Sequence, residues 1–298
     1  MKKIEDCTIG IVGLGLMGGA IALALRGQTR RILACDIDPT ILEAAKADAV
    51  IDRGFTDPQE MLPLCDVVYL CLNPSVLLRF LDTWMPSFAA ESVLTDVAGV
   101  KAPIVRAVEE SLRPDLDFVP GHPMAGSEKG GYAQAKHCSF AGKNYILTPL
   151  KRNKPESIDF IKNVIYRMGF GCITETTAEE HDRKIAFTSQ LCHIIAAALI
   201  DCEPDATITR FGGGSFEDLT RIAILNVPQW TELFLENKSE LLKRITQFES
   251  SLDKLKEFIA MERKGDLEAC LKTVRDRRSR AQPKGAPKGC LTTSHGLL

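Results

Sequence analysis

No two of the ten cysteines stand at Cys-x-x-Cys spacing, which removes the usual frame of a structural zinc site. They are scattered, and several sit inside apolar runs, such as Cys35 in ILAC and Cys71 in VVYLCL, where a thiol acts as a small buried hydrophobe. That usage fits a reducing, cytoplasmic setting, and no metal site is expected. Charge of one sign is also lacking: the net charge is −2, so no electrostatic grip on nucleic acid or an anionic membrane is expected. No run reads as the roughly 18 apolar residues of a membrane span. The opening MKKIEDCTIGIVGLG starts like a signal peptide, but Glu5, Asp6 and the glycines that follow spoil it. There is no internal repeat.

What is present is globular: 298 residues, 45% hydrophobic and 26% charged, long enough for two medium domains. Over the first half, short apolar runs alternate with amphipathic stretches. Strands are expected at Thr8–Val12, Arg31–Cys35, Val50–Ile51, Asp66–Leu72, Ser92–Asp96 and Phe118–Gly121, with later ones at Asn144–Thr148 and Cys172–Thr176. Apolar strands alternating with helices imply an α/β fold with a doubly wound, mostly parallel sheet covered on both faces. The character changes at Thr177, which with Glu180 makes a capping-box pattern opening a long helix to about Asp201. Further helical stretches are expected at Asn226–Arg244 and Ile245–Met261, interrupted by Pro228. The expected organisation is a nucleotide-binding domain over 1–177, an all-helical domain over 178–280 and a flexible basic tail over 281–298.

The strongest local motif is Gly13-Leu14-Gly15-Leu16-Met17-Gly18, directly after the first strand and opening the first helix. Gly13 permits the tight turn, Gly15 lets backbone approach a pyrophosphate, and Gly18 lets helix and strand pack closely. The helix N-terminus offers unpaired N–H groups to the phosphates. Asp36 ends the second strand, 18 residues after Gly18, where its carboxylate can accept hydrogen bonds from ribose hydroxyls and repel a 2′-phosphate. The expected cofactor is NAD.

Hydride removal from a hydroxyl-bearing carbon needs a base, and histidine suits neutral pH. Of five histidines, His295 is in the tail and His137 in a polar loop. His122 follows a strand, at the end where open α/β sheets place ligands. His181, near a helix start, reads as a local hydrogen-bonding group. His193 shares a helix face with Ser189, four residues away, and reads equally as a core histidine or a site residue. Spacing alone makes Asp218 and Arg221 a simple i,i+3 ion pair.

The stretches GLGLMGG (13–19), TDVAGVK (95–101), GHPMAGSEKGG (121–131), HDRKIAFTSQLCH (181–193) and FGGGSFEDLTRIA (211–223) together resemble the prephenate/arogenate dehydrogenase family of tyrosine biosynthesis. The resemblance implies NAD-dependent oxidative decarboxylation of prephenate to 4-hydroxyphenylpyruvate. It makes His122 the base and Arg221 the partner of a substrate carboxylate, with Glu128 and Asp218 in an ionic network beside it. Ser127, Ser189 and His193 join the substrate set, and Asn73, Asp96 and Gly99 join the glycine turn and Asp36 on the cofactor side. It also implies a homodimer built by the helical domain, whose apolar helices exceed what one small bundle buries. Gly99 departs from the pattern, since many members of the family carry a serine there. The alternatives are arogenate as the substrate, a β-hydroxyacid dehydrogenase, or a non-catalytic NAD-sensing protein.

Overall fold

The computed structural model describes residues 2–126, 130–280 and 290–292. Six strands make one parallel sheet: β1 (Thr8–Val12), β2 (Arg31–Cys35), β3 (Arg53–Phe55), β4 (Val67–Leu70), β5 (Val93–Asp96) and β6 (Asp117–Phe118). Their spatial order is β3-β2-β1-β4-β5-β6, the doubly wound arrangement of dinucleotide-binding folds. Helices α1 (Leu16–Leu25), α2 (Pro39–Ala47), α3 (Pro58–Met61), α4 (Pro74–Trp84) and α5 (Ala102–Ser111) supply the crossovers. Alternate residues of one strand feed different cores. Val67 and Tyr69 join the cluster around Ile9, Ile21 and Ile161, while Val68 and Leu70 join the one around Leu77, Leu94 and Ile104. Both faces are therefore covered, as the continuous apolar runs imply.

Two strand expectations shift. The third strand falls at Arg53–Phe55 rather than Val50–Ile51. The run expected at Phe118–Gly121 is split: Asp117–Phe118 closes the first sheet, and β7 (Gly121–Pro123) begins a second. Pro120 lacks the N–H that a continuous ladder needs. Gly121 then passes so close to Tyr145 that a Cβ there would meet its ring at 2.6 Å. In the second sheet β7 runs antiparallel to β8 (Asn144–Leu147), and β9 (Cys172–Glu175) lies parallel to β8, with α6 (Pro155–Arg167) between those two in sequence. The last strand, β10 (Cys290–Thr292), pairs in parallel with β9. A short stretch of the expected flexible tail is therefore a strand; residues 281–289 and 293–298 lie outside the described residues.

The helical domain holds α7 (Ala178–Ile185), α8 (Leu191–Asp201), α9 (Gly214–Thr220), α10 (Val227–Glu236), α11 (Lys238–Ala260) and α12 (Lys264–Arg280). Thr177 caps α7 by accepting from the Glu180 N–H, but the Glu180 side chain pairs with Arg183 and Lys184 instead of reaching back. Only half of the expected capping box forms. A π-helical turn over Ala186–Gln190 joins α7 to α8, giving an apolar helix of 24 residues that is long enough, by length and composition, to cross a membrane. The span matches the long helix expected to about Asp201, but no membrane-length apolar run was read there, because charged and polar residues crowd its first turns. Pro228 does not interrupt a helix; it sits in the first turn of α10, where its missing N–H costs nothing. The break falls at Asn237, whose side-chain amide donates to Asp182 O and Gln190 Oε1.

Two carboxylates of the helical domain meet helix N-termini of the first domain. Glu232 on α10 accepts from the Ser75 N–H at the start of α4. Asp182 on α7 accepts from the N–H groups of Lys101 and Ala102 at the start of α5, each at 2.8 Å. Both fill donors that the helices cannot satisfy themselves and favour the positive end of the helix dipole.

Candidate active site

A cleft of about 550 Å³ opens between the two domains, above the C-terminal ends of β1, β4 and β5. Its floor holds Gly15, Leu16 and Met17 from the glycine turn, with Asn73 beyond β4 and Gly99 beyond β5. This is where the strand order reverses, the place where such sheets bind ligands. The turn is built as its spacing requires. Gly13 has φ +85°, and a Cβ at Gly18 would lie 2.0 Å from the Gly13 carbonyl oxygen, so neither position admits a side chain. Gly15 faces open space and has no side chain to cap α1, leaving the first N–H groups of that helix toward the cleft. These features fit a dinucleotide pyrophosphate.

Asp36 Oδ2 accepts from the Leu14 N–H at 2.7 Å and its Oδ1 from the Asp38 N–H at 3.0 Å. Its first task is to tie the turn to β2, and each oxygen keeps a second lone pair for a ribose hydroxyl. Gly13, Leu14 and Gly18 shape the turn but do not line the cleft.

His122, on β7, lines the cleft. Its Nδ1 lies 2.9 Å from Nε2 of His181, and Nδ1 of His181 lies 2.7 Å from Asp182 Oδ1. The two rings meet edge to face, with centroids 5.1 Å apart. Burial first, then the neighbouring His181 and Lys101, hold the His122 imidazole well below its usual pKa. Burial likewise lowers His181, outweighing its hydrogen bond to Asp182. Beneath them Lys101 and Asp96 form an ion pair with both side chains fully buried.

Asp96 therefore corrects an expectation. Its carboxylate is spent on Lys101 and on the N–H groups of Ala98 and Gly121, and it offers no surface to a cofactor. Gly99 does lie at the site: a Cβ there would be 3.9 Å from His122 Cε1 and 3.2 Å from Leu233 Cδ2. Leu233 thus packs over the position from which a side chain at 99 would start.

From the helical domain, Ser189 and His193 both line the cleft. The π-turn contributes an extra residue per turn here, a feature common at functional sites. His193 Nδ1 donates to the Ser189 carbonyl at 2.9 Å, and its ring stacks on Trp230 with centroids 3.6 Å apart. It is half-buried in a wall of the cleft rather than in the core. Asp218 and Arg221 are exposed and outside the lining, although Ile222, next in the chain, is part of it. Ser127 and Glu128 lie outside the described residues. Sequence reasoning missed Trp230 and Gln229, which enter the cleft from α10, and Lys143 at its edge. It also gave His181 only a local role; the adjacent pair His181-Asp182 was the available signal.

Residues 20–173 match the family described as prephenate dehydrogenase, nucleotide-binding domain, and residues 177–273 match prephenate dehydrogenase, dimerization domain. Prephenate dehydrogenase of Bacillus subtilis is 31% identical over 93% of this chain and 76% of its own length. Cyclohexadienyl dehydrogenase of Zymomonas mobilis is 30% identical over 85% of this chain and 88% of its own. Among solved structures, prephenate dehydrogenase from Aquifex aeolicus in complex with hydroxyphenyl propionate and NAD+ superposes with a TM-score of 0.85 at 32% identity. That match covers 94% of this chain and 99% of the other. Both domains are matched in order, and the cleft between them carries the glycine turn and the histidine; the chain belongs to the prephenate dehydrogenase family.

Proposed function

We propose that the protein catalyses the NAD-dependent oxidative decarboxylation of prephenate to 4-hydroxyphenylpyruvate, as a cytoplasmic step of tyrosine biosynthesis. The observation that carries the reading is His122: a half-buried imidazole at the junction of the glycine turn and the helical domain, with a depressed pKa. At neutral pH that ring is unprotonated and ready to accept a proton. NAD, when bound, supplies the hydride acceptor. His122 takes the proton of the ring hydroxyl as the carbon–hydrogen bond breaks, and loss of the ring carboxylate as CO2 then aromatises the ring.

Ser189 and His193 give the ring's polar groups hydrogen-bonding partners from the facing domain. Arg221, one residue from the lining, brings a fixed positive charge to a substrate carboxylate at the rim. Gly15 to Met17 and Asn73 hold the cofactor, and Asp36 receives its ribose. The working form is a homodimer. Large apolar side chains of the helical domain stand open in one chain, among them Phe211 at 86%, Ile224 at 75% and Val227 at 69% exposure, and a second copy covers them.

The direct test mixes the purified protein with NAD and prephenate. NADH and 4-hydroxyphenylpyruvate forming together support the assignment. NADH from arogenate alone would transfer it to the amino analogue. No turnover of either, with NAD binding intact, would leave a nucleotide-sensing role.

A further inference from the structure

Asp182 accepts three hydrogen bonds: from the N–H groups of Lys101 and Ala102, which can only donate, and from His181 Nδ1. Each of its two oxygens already accepts from a backbone N–H, so toward His181 too it acts as the acceptor. His181 Nδ1 must then carry a proton. With the ring neutral, as its burial favours, His181 Nε2 is left as an acceptor. Its partner is His122 Nδ1, so that nitrogen must be the donor. The chain of bonds leaves His122 Nε2 with the lone pair, on the side of the ring away from His181.

We propose that Asp182 and His181 are positioning residues that set the tautomer of His122 and share the positive charge it acquires. The proposal rests on the reading of His122 as the base. In the step itself, the substrate O–H bond breaks, its proton bonds to His122 Nε2, and the oxygen keeps the electron pair that becomes the new carbonyl as hydride leaves. The imidazolium so formed directs its Nδ1–H at His181 Nε2, with the Asp182 charge behind. The other charged groups near the pair of rings are Asp96, at the end of β5, and Lys101, at the start of α5; they pair with each other, and the Lys101 charge disfavours the His122 imidazolium.

The test uses the full chain with His181→Gln and His181→Leu. Glutamine keeps an amide oxygen at about the reach of Nε2; leucine keeps apolar bulk and no acceptor. A purely structural role predicts that leucine serves at least as well in this buried place. The relay predicts the reverse: His181→Leu lowers kcat/KM about a hundredfold, within the ordinary range of a base's contribution, and His181→Gln restores about tenfold of it. NAD affinity stays within about threefold in both. Equal activity in the two variants, or leucine above glutamine, overturns the relay.

A second readout needs no turnover. With nitrogen-15 in the five histidines, NMR of the resting protein should show the proton on Nδ1 in both His122 and His181. An Nε2-protonated His122 would refute the proposal in any event. The tautomer pair without prephenate turnover would keep the relay and remove the dehydrogenase assignment.

Discussion

Replacing His122 with asparagine removes the base while sparing much around it. Asparagine is shorter, and its amide lies near the position of Nδ1, so the contact with His181 at 2.9 Å has a substitute. What is lost is Nε2, the atom left to accept the hydroxyl proton. A positioned general base contributes about 10²–10⁴ in rate, or roughly 2.7–5.4 kcal/mol at 1.36 kcal/mol per tenfold. The expected loss therefore lies in kcat, followed as NADH formation at saturating prephenate. NAD affinity, measured separately by fluorescence titration, should hold within about twofold, because the glycine turn and Asn73 are untouched. In the parent protein the imidazole pKa is depressed by burial, by His181 and by Lys101. The active form is unprotonated, so kcat/KM should be flat through neutral pH and fall only below the ordinary histidine value of 6.5. That acid limb should vanish from the residual activity of the variant. Retention of more than about a tenth of kcat would remove His122 from the chemistry, since no base contribution in the usual range is that small.

Gly99→Ser should fold, since the new Cβ meets only the mobile end of Leu233 at 3.2 Å, and its hydroxyl would stand beside His122. One added hydrogen bond of about 0.5–1.5 kcal/mol predicts a roughly two- to tenfold gain in kcat/KM; a tenfold drop would mean that Leu233 cannot yield. Lys101→Met strands the fully buried Asp96 carboxylate and should cost about 3–5 kcal/mol in urea unfolding; an unchanged midpoint would contradict the pair's burial. Gly18→Ala puts a methyl 2.0 Å from the Gly13 carbonyl and should abolish NAD binding as the turn is forced open; an unaltered NAD titration would show that the turn is not the binding element. Both His122 and His181 have folded-state pKa values below those of the unfolded chain. Unfolding therefore takes up protons below pH 6.5, and the stability present above that pH should fall as acid is added; a flat urea midpoint down to pH 5 would refute it.

The parts legible in the sequence were those whose cause is local. The glycine turn is a matter of backbone clearance within six residues, and the alternation of apolar runs with helices follows from burial on both sheet faces. Element boundaries were lost where a tertiary partner decides them. Gly121 leaves the first sheet because Pro120 breaks the ladder and Tyr145 lies across its path, and no spacing rule encodes that approach. Asp96 shows the same limit within the site. The resemblance puts it on the cofactor side, but Lys101, five residues on, folds back to bury it. The role of His181 depends on an edge contact with a residue 59 positions earlier, so its helix start alone could only suggest a local hydrogen bond.

Asp182 and Glu232 also bear on how such an enzyme can be rearranged. Each belongs to the helical half yet completes a helix of the nucleotide-binding half. A chimera that grafts a foreign helical half onto these first 177 residues inherits the dinucleotide turn intact but leaves the openings of α4 and α5 bare and gives the His122 ring no fixed partner. Recombination among relatives should therefore succeed only where both acids and His181 travel with the second half.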